Sequence, residues 1–325
     1  MSLKKSEPLS RSAALAEVTA HLQSDALISH SLLTCLSDLS TDELGLFAAA
    51  WSRLNTERRQ AILGHFRDIA EDNIGYDFSA VLKHALSDAD SVVRQEAIEA
   101  LWENEEPSLI RPLLNILVHD SSDAVRESAA VALGRFASLA ECRQIDTANI
   151  ARLSQPLLAV ANNPSEPLIL RRRALEAAAP LSLSDVTQAI WAAYRSEEPE
   201  MRTGAIQAMG LNRDLLWLPT IIQALASDDP EMRYVAASAA GALGEPEATP
   251  LLIELLDDPD PEVKLAAVQA LGDIGGDEAK RALKRTMHHE DQFMREAAAS
   301  AFAETRLFDD PLLPDNLELD EPFDE

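Results

Sequence analysis

The chain has 325 residues, of which 46% are hydrophobic and 26% charged, a composition typical of a folded protein with a continuous core. Its formal net charge of −27 favours repulsion from nucleic acid and from anionic membrane surfaces, so we expect neither as a partner. No apolar run approaches the ~18 residues that span a bilayer, and none follows Lys4 and Lys5 as a secretion signal requires. Cys35 and Cys142 form no Cys-x-x-Cys pair, so the sequence predicts a cytoplasmic protein with reduced thiols.

The first 76 residues differ from the rest of the chain. Residues 1–40 predict a segment with short helices, of which the clearest is an amphipathic stretch at 12–23. The capping signal Thr41-Asp-Glu-Leu then opens a helix pair at 41–76. Because this pair departs from the pattern that follows, we interpret it as an N-terminal cap.

From residue 77 to 306 one pattern recurs at a nearly fixed interval. A basic residue follows an apolar one and precedes an alanine by three positions, and from Arg171 onwards the interval is 31 residues every time. Pro199, Pro230 and Pro261 keep the same period. An internal repeat of this length is typical of stacked helix pairs, which cannot bury their apolar faces singly. The recurring basic residues are Arg94, Arg126, Arg171, Arg202, Arg233, Lys264 and Arg295.

Each unit carries its own signals for starting and ending helices. In the unit at 257–276, Asp260 can cap a helix, Pro261 suits its first position, and apolar residues then recur at helical spacing. We predict that six glycines lie at the ends of helices: Gly210, Gly241, Gly244, Gly272, Gly275 and Gly276. The predicted helix pairs are 78–87 and 91–102, 107–118 and 123–137, 150–161 and 168–180, 184–195 and 199–210, 214–226 and 230–243, 247–256 and 261–274, and 277–288 and 291–306, with an insertion at 138–150.

Residues 228–244 and 257–276 resemble HEAT repeats, of the short, alanine-rich kind also found in phycobilisome-lyase-like proteins. The resemblance covers residues 77–306 and implies an all-α fold, a right-handed α-solenoid (α–α superhelix) of HEAT-like helix pairs. It favours a non-catalytic scaffold or adaptor that binds a protein or peptide. The alternative that it implies is a bilin lyase or lyase-chaperone subunit acting on a phycobiliprotein-like partner, although no local motif matches a bilin site.

Catalytic and metal motifs are sparse. HEAT-like metal enzymes such as deoxyhypusine hydroxylase are similar in repeat type and place His-Glu pairs in several repeats, whereas here only His289-Glu290 matches. The sequence shows no recognisable Ser-His-Asp order, phosphate-binding loop or dinucleotide fingerprint. We therefore expect no enzymatic activity, no cofactor and no metal.

The candidate binding surface is a row on the second helices of the pairs. Positions one and five after each basic residue point away from the apolar face, so they should line the concave inner surface. This mixed, amide-rich row suits a monomer binding a protein or peptide with a basic or mixed surface, with Trp102 and Tyr234 as aromatic anchors. The basic residues themselves should pair with turn carboxylates of their own or the preceding unit. The predicted partner-binding residues are Gln95, Glu99, Trp102, Thr203, Gln207, Tyr234, Ser238 and Gln269.

Residues 307–325 form a different kind of sequence, with three prolines, eight acidic side chains and no basic one. This composition predicts an acidic, disordered tail outside the repeats. The tail either keeps the protein in solution or docks on a basic partner through Phe308, Leu312 and Leu313.

Overall fold

The computed structural model describes residues 11–24, 28–73 and 75–309, and these residues form helices, turns and loops without any strand. The all-α prediction is confirmed. The helices are α1 (Arg11–Leu22), α2 (His30–Leu33), α3 (Thr41–Trp51), α4 (Thr56–Asp72), α5 (Ser79–Ala85), α6 (Ser91–Ala100), α7 (Ile110–His119), α8 (Asp123–Glu141), α9 (Ala148–Ala161), α10 (Leu168–Ala178), α11 (Ser184–Tyr194), α12 (Pro199–Asn212), α13 (Leu218–Leu225), α14 (Pro230–Leu243), α15 (Thr249–Glu254), α16 (Pro261–Ile274), α17 (Gly276–Thr286) and α18 (Gln292–Asp309).

The chain divides into two compact units, and the first, Met1–Ala178, contains α1 to α10. Helices α5 and α6, α7 and α8, and α9 and α10 pack as pairs, while the second helices α4, α6, α8 and α10 pack one against the next. At the start of this unit α1 packs on α3 and α2 packs on α4. The predicted cap at 41–76 is therefore itself covered by a further helical layer.

The second unit, Ala179–Glu325, contains α11 to α18 in four helix pairs. Its second helices α12, α14, α16 and α18 pack in succession, and α13, α15 and α17 flank them. Alanines fill much of the space between these helices, and Ala205, Ala236, Ala267 and Ala298 are fully buried. Small side chains let neighbouring helices approach closely, which explains how this unit fills its core although only 5% of the residues of the chain are aromatic.

Helix starts follow the local chemistry that the repeat predicts. The Asp260 carboxylate accepts hydrogen bonds from the backbone amides of Glu262 and Val263, at 2.8 and 3.4 Å, with Pro261 in the first turn. Asp90 and Asp229 cap α6 and α14 in the same way. The capping box near Thr41 is built one residue earlier, by Ser40 and Glu43.

Three glycines that were predicted to end helices lie inside them instead. Gly210, Gly241 and Gly272 belong to the last turns of α12, α14 and α16, so the prediction is wrong for these positions. A Cβ atom on Gly210 would lie 2.7 Å from Ala239 Cα of the next second helix, which shows that the glycine makes room for that helix. Gly244 and Gly275 do end helices, with φ of 75° and 68°.

The insertion and the end of the array differ in detail from their predicted bounds. Part of the insertion is an extra turn of α8, which runs to Glu141 before a turn with Arg143 at φ 58°. Helix α18 continues to Asp309, past the predicted end at residue 306. In the described part of the chain, every helix is too short or too polar to cross a membrane.

Candidate protein-binding grooves on the second helices

The recurring basic residues tie consecutive turns together. The Arg94 guanidinium donates to both carboxylate oxygens of Asp120, at 2.7 and 2.6 Å, and to the carbonyl of Asp88 at 2.9 Å. Arg233 binds Asp258 at 2.7 and 2.9 Å and the carbonyl of Ser227 at 2.8 Å. Hydrogen bonds from Arg233 hold the pKa of Asp258 below its ordinary value.

The carboxylate in each of these two pairs belongs to the following unit, so the prediction of an own or preceding carboxylate is wrong for Arg94 and Arg233. Each of these two arginines donates hydrogen bonds to backbone carbonyls in the turn of its own unit, and the turn of the next unit provides the carboxylate. Arg126 does pair with Asp123 of its own unit, at 3.3 Å, and also with Glu166 of the following unit, at 2.7 Å. Arg59 of α4, absent from the predicted series, makes the same contact with Asp88 at 2.6 Å. This ladder of arginines therefore acts on packing between units, and the binding surface has to be sought elsewhere.

A groove of about 570 Å³ lies between α6 and α8 in the first unit. A neighbouring cavity has a volume of about 840 Å³. Three of the predicted partner-binding residues line the groove: Gln95, Glu99 and Trp102. Val131 of α8 faces them and is 58% exposed. The structure therefore brings row residues of α6 and α8 together in one groove, since Val131 is the position five residues after Arg126.

Trp102 lies on the loop directly after α6 and is the most exposed aromatic side chain of this region, at 63%. Arg135 of α8 fixes that loop, because its guanidinium donates to the carbonyls of Leu101 and Asn104 at 3.1 and 2.6 Å. The indole also lines the neighbouring cavity. Trp102 thus stands between two concave surfaces.

The neighbouring cavity has an aromatic wall and an acidic mouth. Phe78 stacks on Phe66 with ring centroids 4.4 Å apart, and Tyr76 stacks on Phe78 at 6.2 Å. Exposed Glu103 and Glu105 lie on the loop at the rim. This cavity could not be predicted from the sequence, because its stacked aromatic residues come from α4 and from the connection before α5.

A second groove, of about 470 Å³, lies between α14 and α16 in the second unit. Three of the predicted partner-binding residues line it: Tyr234, Ser238 and Gln269. Leu265, the row position directly after Lys264, contributes an exposed apolar side chain. The Gln269 amide donates to carboxylates of Asp273 and Glu304, at 3.2 and 3.0 Å. Burial raises the pKa of Asp273 above its ordinary value.

The remaining predicted residues do not join these grooves. Thr203 is only 1% exposed, and its hydroxyl donates to the Glu200 carbonyl at 3.1 Å. The prediction that Thr203 lies on an accessible row is therefore wrong. The approach of Glu231 from α14, 3.5 Å from the hydroxyl, explains the burial. Gln207 is half-buried on α12. Phe308 lies in α18 by its backbone, and Leu312 and Leu313 lie outside the described residues.

The one His-Glu pair of the sequence forms the start of a helix. Arg295 donates to the carbonyls of His289 and Glu290, both at 2.9 Å, and the His289 ring accepts a hydrogen bond from the Asp291 amide at 3.0 Å. These bonds hold the turn before α18, as Arg94, Arg202 and Arg233 do for their turns. The contacts support the structural interpretation of this pair.

The family comparison agrees with the helix pairs. Residues 79–148 and 218–303 match the family model of HEAT repeats, and together with the paired helices this match confirms the prediction of HEAT repeats. The chain contains HEAT repeats in these two segments. A search of curated proteins gave no match.

Solved structures with similar helical arrays have low sequence identity. The Escherichia coli protein YibA is 16% identical, with a TM-score of 0.43 over 78% of this chain and 97% of that one. Human deoxyhypusine hydroxylase, solved in complex with glycerol, is 18% identical, with a TM-score of 0.36 over 92% of this chain and 99% of that one. A mutant of Kap121p is 15% identical, with a TM-score of 0.43 over 93% of this chain and 38% of that one.

Proposed function

We propose that the chain is a non-catalytic scaffold whose α6–α8 groove binds a basic segment of a protein or peptide partner. The observation that carries this proposal is Trp102, an exposed aromatic side chain held between a groove and an aromatic-walled cavity. Large aromatic side chains in such positions supply most of the binding energy of many interfaces. Three exposed carboxylates surround it in sequence: Glu99, Glu103 and Glu105.

The charge of the site argues for a basic partner. A lysine or arginine side chain can lie over the Trp102 ring in a cation–π contact and still reach one of the neighbouring carboxylates. The net charge of −27 adds a long-range attraction for the same kind of segment. Two arginines line the groove, and both are engaged within the fold: Arg135 donates to backbone carbonyls of the loop, and Arg173 donates to the Glu176 carboxylate at 2.9 Å.

The α14–α16 groove is also lined by one aromatic side chain, Tyr234, one exposed apolar side chain, Leu265, and two carboxylates, Glu262 and Asp273. We assign it the role of a second contact for an extended partner. The acidic tail, with Phe308, Leu312 and Leu313, supplies a further contact of the same sign. In this proposal the protein is a cytoplasmic monomer.

The test uses the full chain, a Trp102→Ala variant and, as a matched control, Phe293→Ala. Phe293 is 74% exposed at the start of α18 and lines neither groove. The probe is an array of lysine- and arginine-rich 15-residue peptides with acidic peptides of matched length. We expect several basic peptides to bind, with affinity about thirtyfold weaker for Trp102→Ala and unchanged for Phe293→Ala. Equal binding by both variants, or no preference for basic peptides, contradicts the proposal.

The alternative, a bilin lyase or lyase-chaperone subunit, is favoured by one observation. The aromatic-walled cavity of about 840 Å³ falls within the size of pockets that hold small molecules. Titrating the chain with a free bilin while recording visible absorbance tests this alternative. If the bilin spectrum does not change at micromolar protein concentration, the scaffold proposal alone remains.

A further inference from the structure

Three side chains of the first unit place atoms that can ligate a metal close to one another. His30 is the first residue of α2, and His65 and Asp68 lie one turn apart on α4. The His30 Nε2 and His65 Nδ1 atoms are 3.0 Å apart, and the Asp68 carboxylate is 3.9 Å from the same His65 nitrogen. The three ligand atoms lie within 4.8 Å of one another.

The two imidazole rings meet edge to face, with centroids 4.9 Å apart and planes at 71°. This orientation directs a nitrogen of each ring towards the same small volume, where one nitrogen donates a hydrogen bond to the other. A hydrogen bond of this kind needs one proton between two nitrogens. A metal ion can take the place of that proton, because the donor histidine can adopt its other tautomer, with the proton on the ring nitrogen outside the bond, and both facing nitrogens then offer a lone pair to the cation.

The distances suit zinc-type coordination with a small adjustment. At bond lengths of about 2.0 to 2.1 Å, the nitrogens of two histidines on a tetrahedral ion lie about 3.3 Å apart. The observed 3.0 Å between the nitrogens has to widen by a few tenths of an ångström, and the Asp68 oxygen, 3.9 Å from His65 Nδ1, has to move closer by about 0.6 Å. His30 and Asp68 are exposed and His65 is half-exposed, so their side chains have room to adjust and a metal ion has direct access from solvent.

The donor set selects among metals. Two imidazole nitrogens and one carboxylate oxygen favour Zn²⁺ and its neighbours Co²⁺, Ni²⁺ and Cu²⁺ over Ca²⁺ and Mg²⁺, which prefer oxygen ligands. Three protein ligands also leave a fourth position for water. In the described part of the chain this is the one group of three or more such side chains in ligating proximity.

We propose that His30, His65 and Asp68 bind one divalent transition-metal ion of the zinc class. The ion joins α2 to α4 and so fastens the outermost second-helix layer of the first unit. This site could not be predicted from the sequence, because the two histidines are 35 residues apart and neither is followed by an acidic residue. The proposal is independent of the grooves, since none of these three residues lines them.

The experiment titrates the full, untagged chain with Zn²⁺ alone by calorimetry, in a millimolar excess of Mg²⁺. The Mg²⁺ occupies the abundant surface carboxylates without competing for imidazole. A parallel titration with Co²⁺ records the visible absorption bands of the metal. We expect one equivalent of Zn²⁺ to bind, and a rise in the melting temperature that follows from binding to the folded state.

Two variants and one control decide the result. His65→Ala should lose the saturable binding and the rise in melting temperature, and Asp68→Asn should weaken binding about tenfold. His119→Ala, which removes an exposed histidine at the end of α7, should bind like the parent chain. Because Asp68 is exposed, its variant retains the fold even if His65→Ala does not. Zn²⁺ binding that neither variant weakens, or the absence of a saturable equivalent, overturns the proposal.

Discussion

Arg233 illustrates how one side chain connects two repeats. Its side chain is 12% exposed and that of Asp258 is 4% exposed, so the pair is largely removed from water. The guanidinium satisfies two carbonyls of its own turn as well as the carboxylate of the next turn. A charged pair with all its polar atoms engaged adds little by itself, but either charge left alone in that place is costly.

Replacing Arg233 with methionine should therefore lower the free energy of unfolding by about 3 kcal/mol, because Asp258 keeps its charge without its main partner. Urea unfolding followed by circular dichroism measures the change. Arg285→Met is the control, since Arg285 is exposed at the end of α17 and its loss should cost about 0.5 kcal/mol or less. Equal losses in the two variants would show that the ladder is not structural.

The lowered pKa of Asp258 gives the pair a dependence on pH. A carboxyl whose pKa is lower in the folded than in the unfolded chain adds stability above its ordinary value of 3.8 and loses it as pH falls further. The free energy of unfolding of the parent chain should thus fall more between pH 5 and pH 3 than that of Asp258→Asn. Urea unfolding at several pH values in this range tests the expectation, and parallel curves would contradict it.

At the scale of helices, close packing of the second helices depends on glycines that face alanines. Gly210, Gly241 and Gly272 meet Ala239, Ala270 and Ala301 of the next second helix, and a Cβ on any of these glycines would come within 3.0 Å of its neighbour. Each contact includes backbone atoms of the opposing helix. Such atoms move only when the helices separate, so the spacing between repeats is set here.

The same substitution should have opposite effects at two helical glycines. Gly210→Ala places a methyl group 2.7 Å from Ala239 Cα, and we expect it to destabilise the second unit by about 1 to 3 kcal/mol. Gly45→Ala in α3 meets nothing within 4 Å, so its higher helix propensity should stabilise the chain by up to about 1 kcal/mol. Thermal and urea unfolding of both variants give the two signs. A stabilising Gly210→Ala would contradict the packing argument.

Helix starts could be predicted from the sequence because Asp260 and Pro261 act within one turn of themselves. The partners of Gly210 and Arg233 lie 29 and 25 residues away, and such contacts depend on how one repeat stacks on the next. A signal for the glycines does exist, since Gly210, Gly241 and Gly272 keep the 31-residue period of the array. The burial of Thr203 had no comparable signal, because a helical wheel describes one helix and takes no account of the helix beside it.

At the scale of the whole molecule, the chain has 55 acidic and 28 basic side chains. Arg59, Arg94, Arg126 and Arg233 are engaged with carboxylates in largely buried contacts between turns. Their charges are thus already paired within the fold. The exposed carboxylates near Trp102 consequently face solvent in a strongly negative field, which suits the capture of a basic segment.

Two double variants distinguish the effect of negative charges beside Trp102 from the effect of the total net charge. Glu103→Gln with Glu105→Gln removes two charges beside Trp102, and Glu247→Gln with Glu254→Gln removes two exposed charges from the second unit. If the local field guides a basic peptide to Trp102, the first pair should reduce the association rate at low salt about tenfold, and the second pair should have little effect. Raising the salt to 1 M shortens the screening length to about 3 Å, so the difference between the pairs should then disappear. Stopped-flow fluorescence of the indole measures these rates. Equal rates for the two pairs at low salt would mean that net charge alone attracts the peptide and that the carboxylates beside Trp102 have no special role.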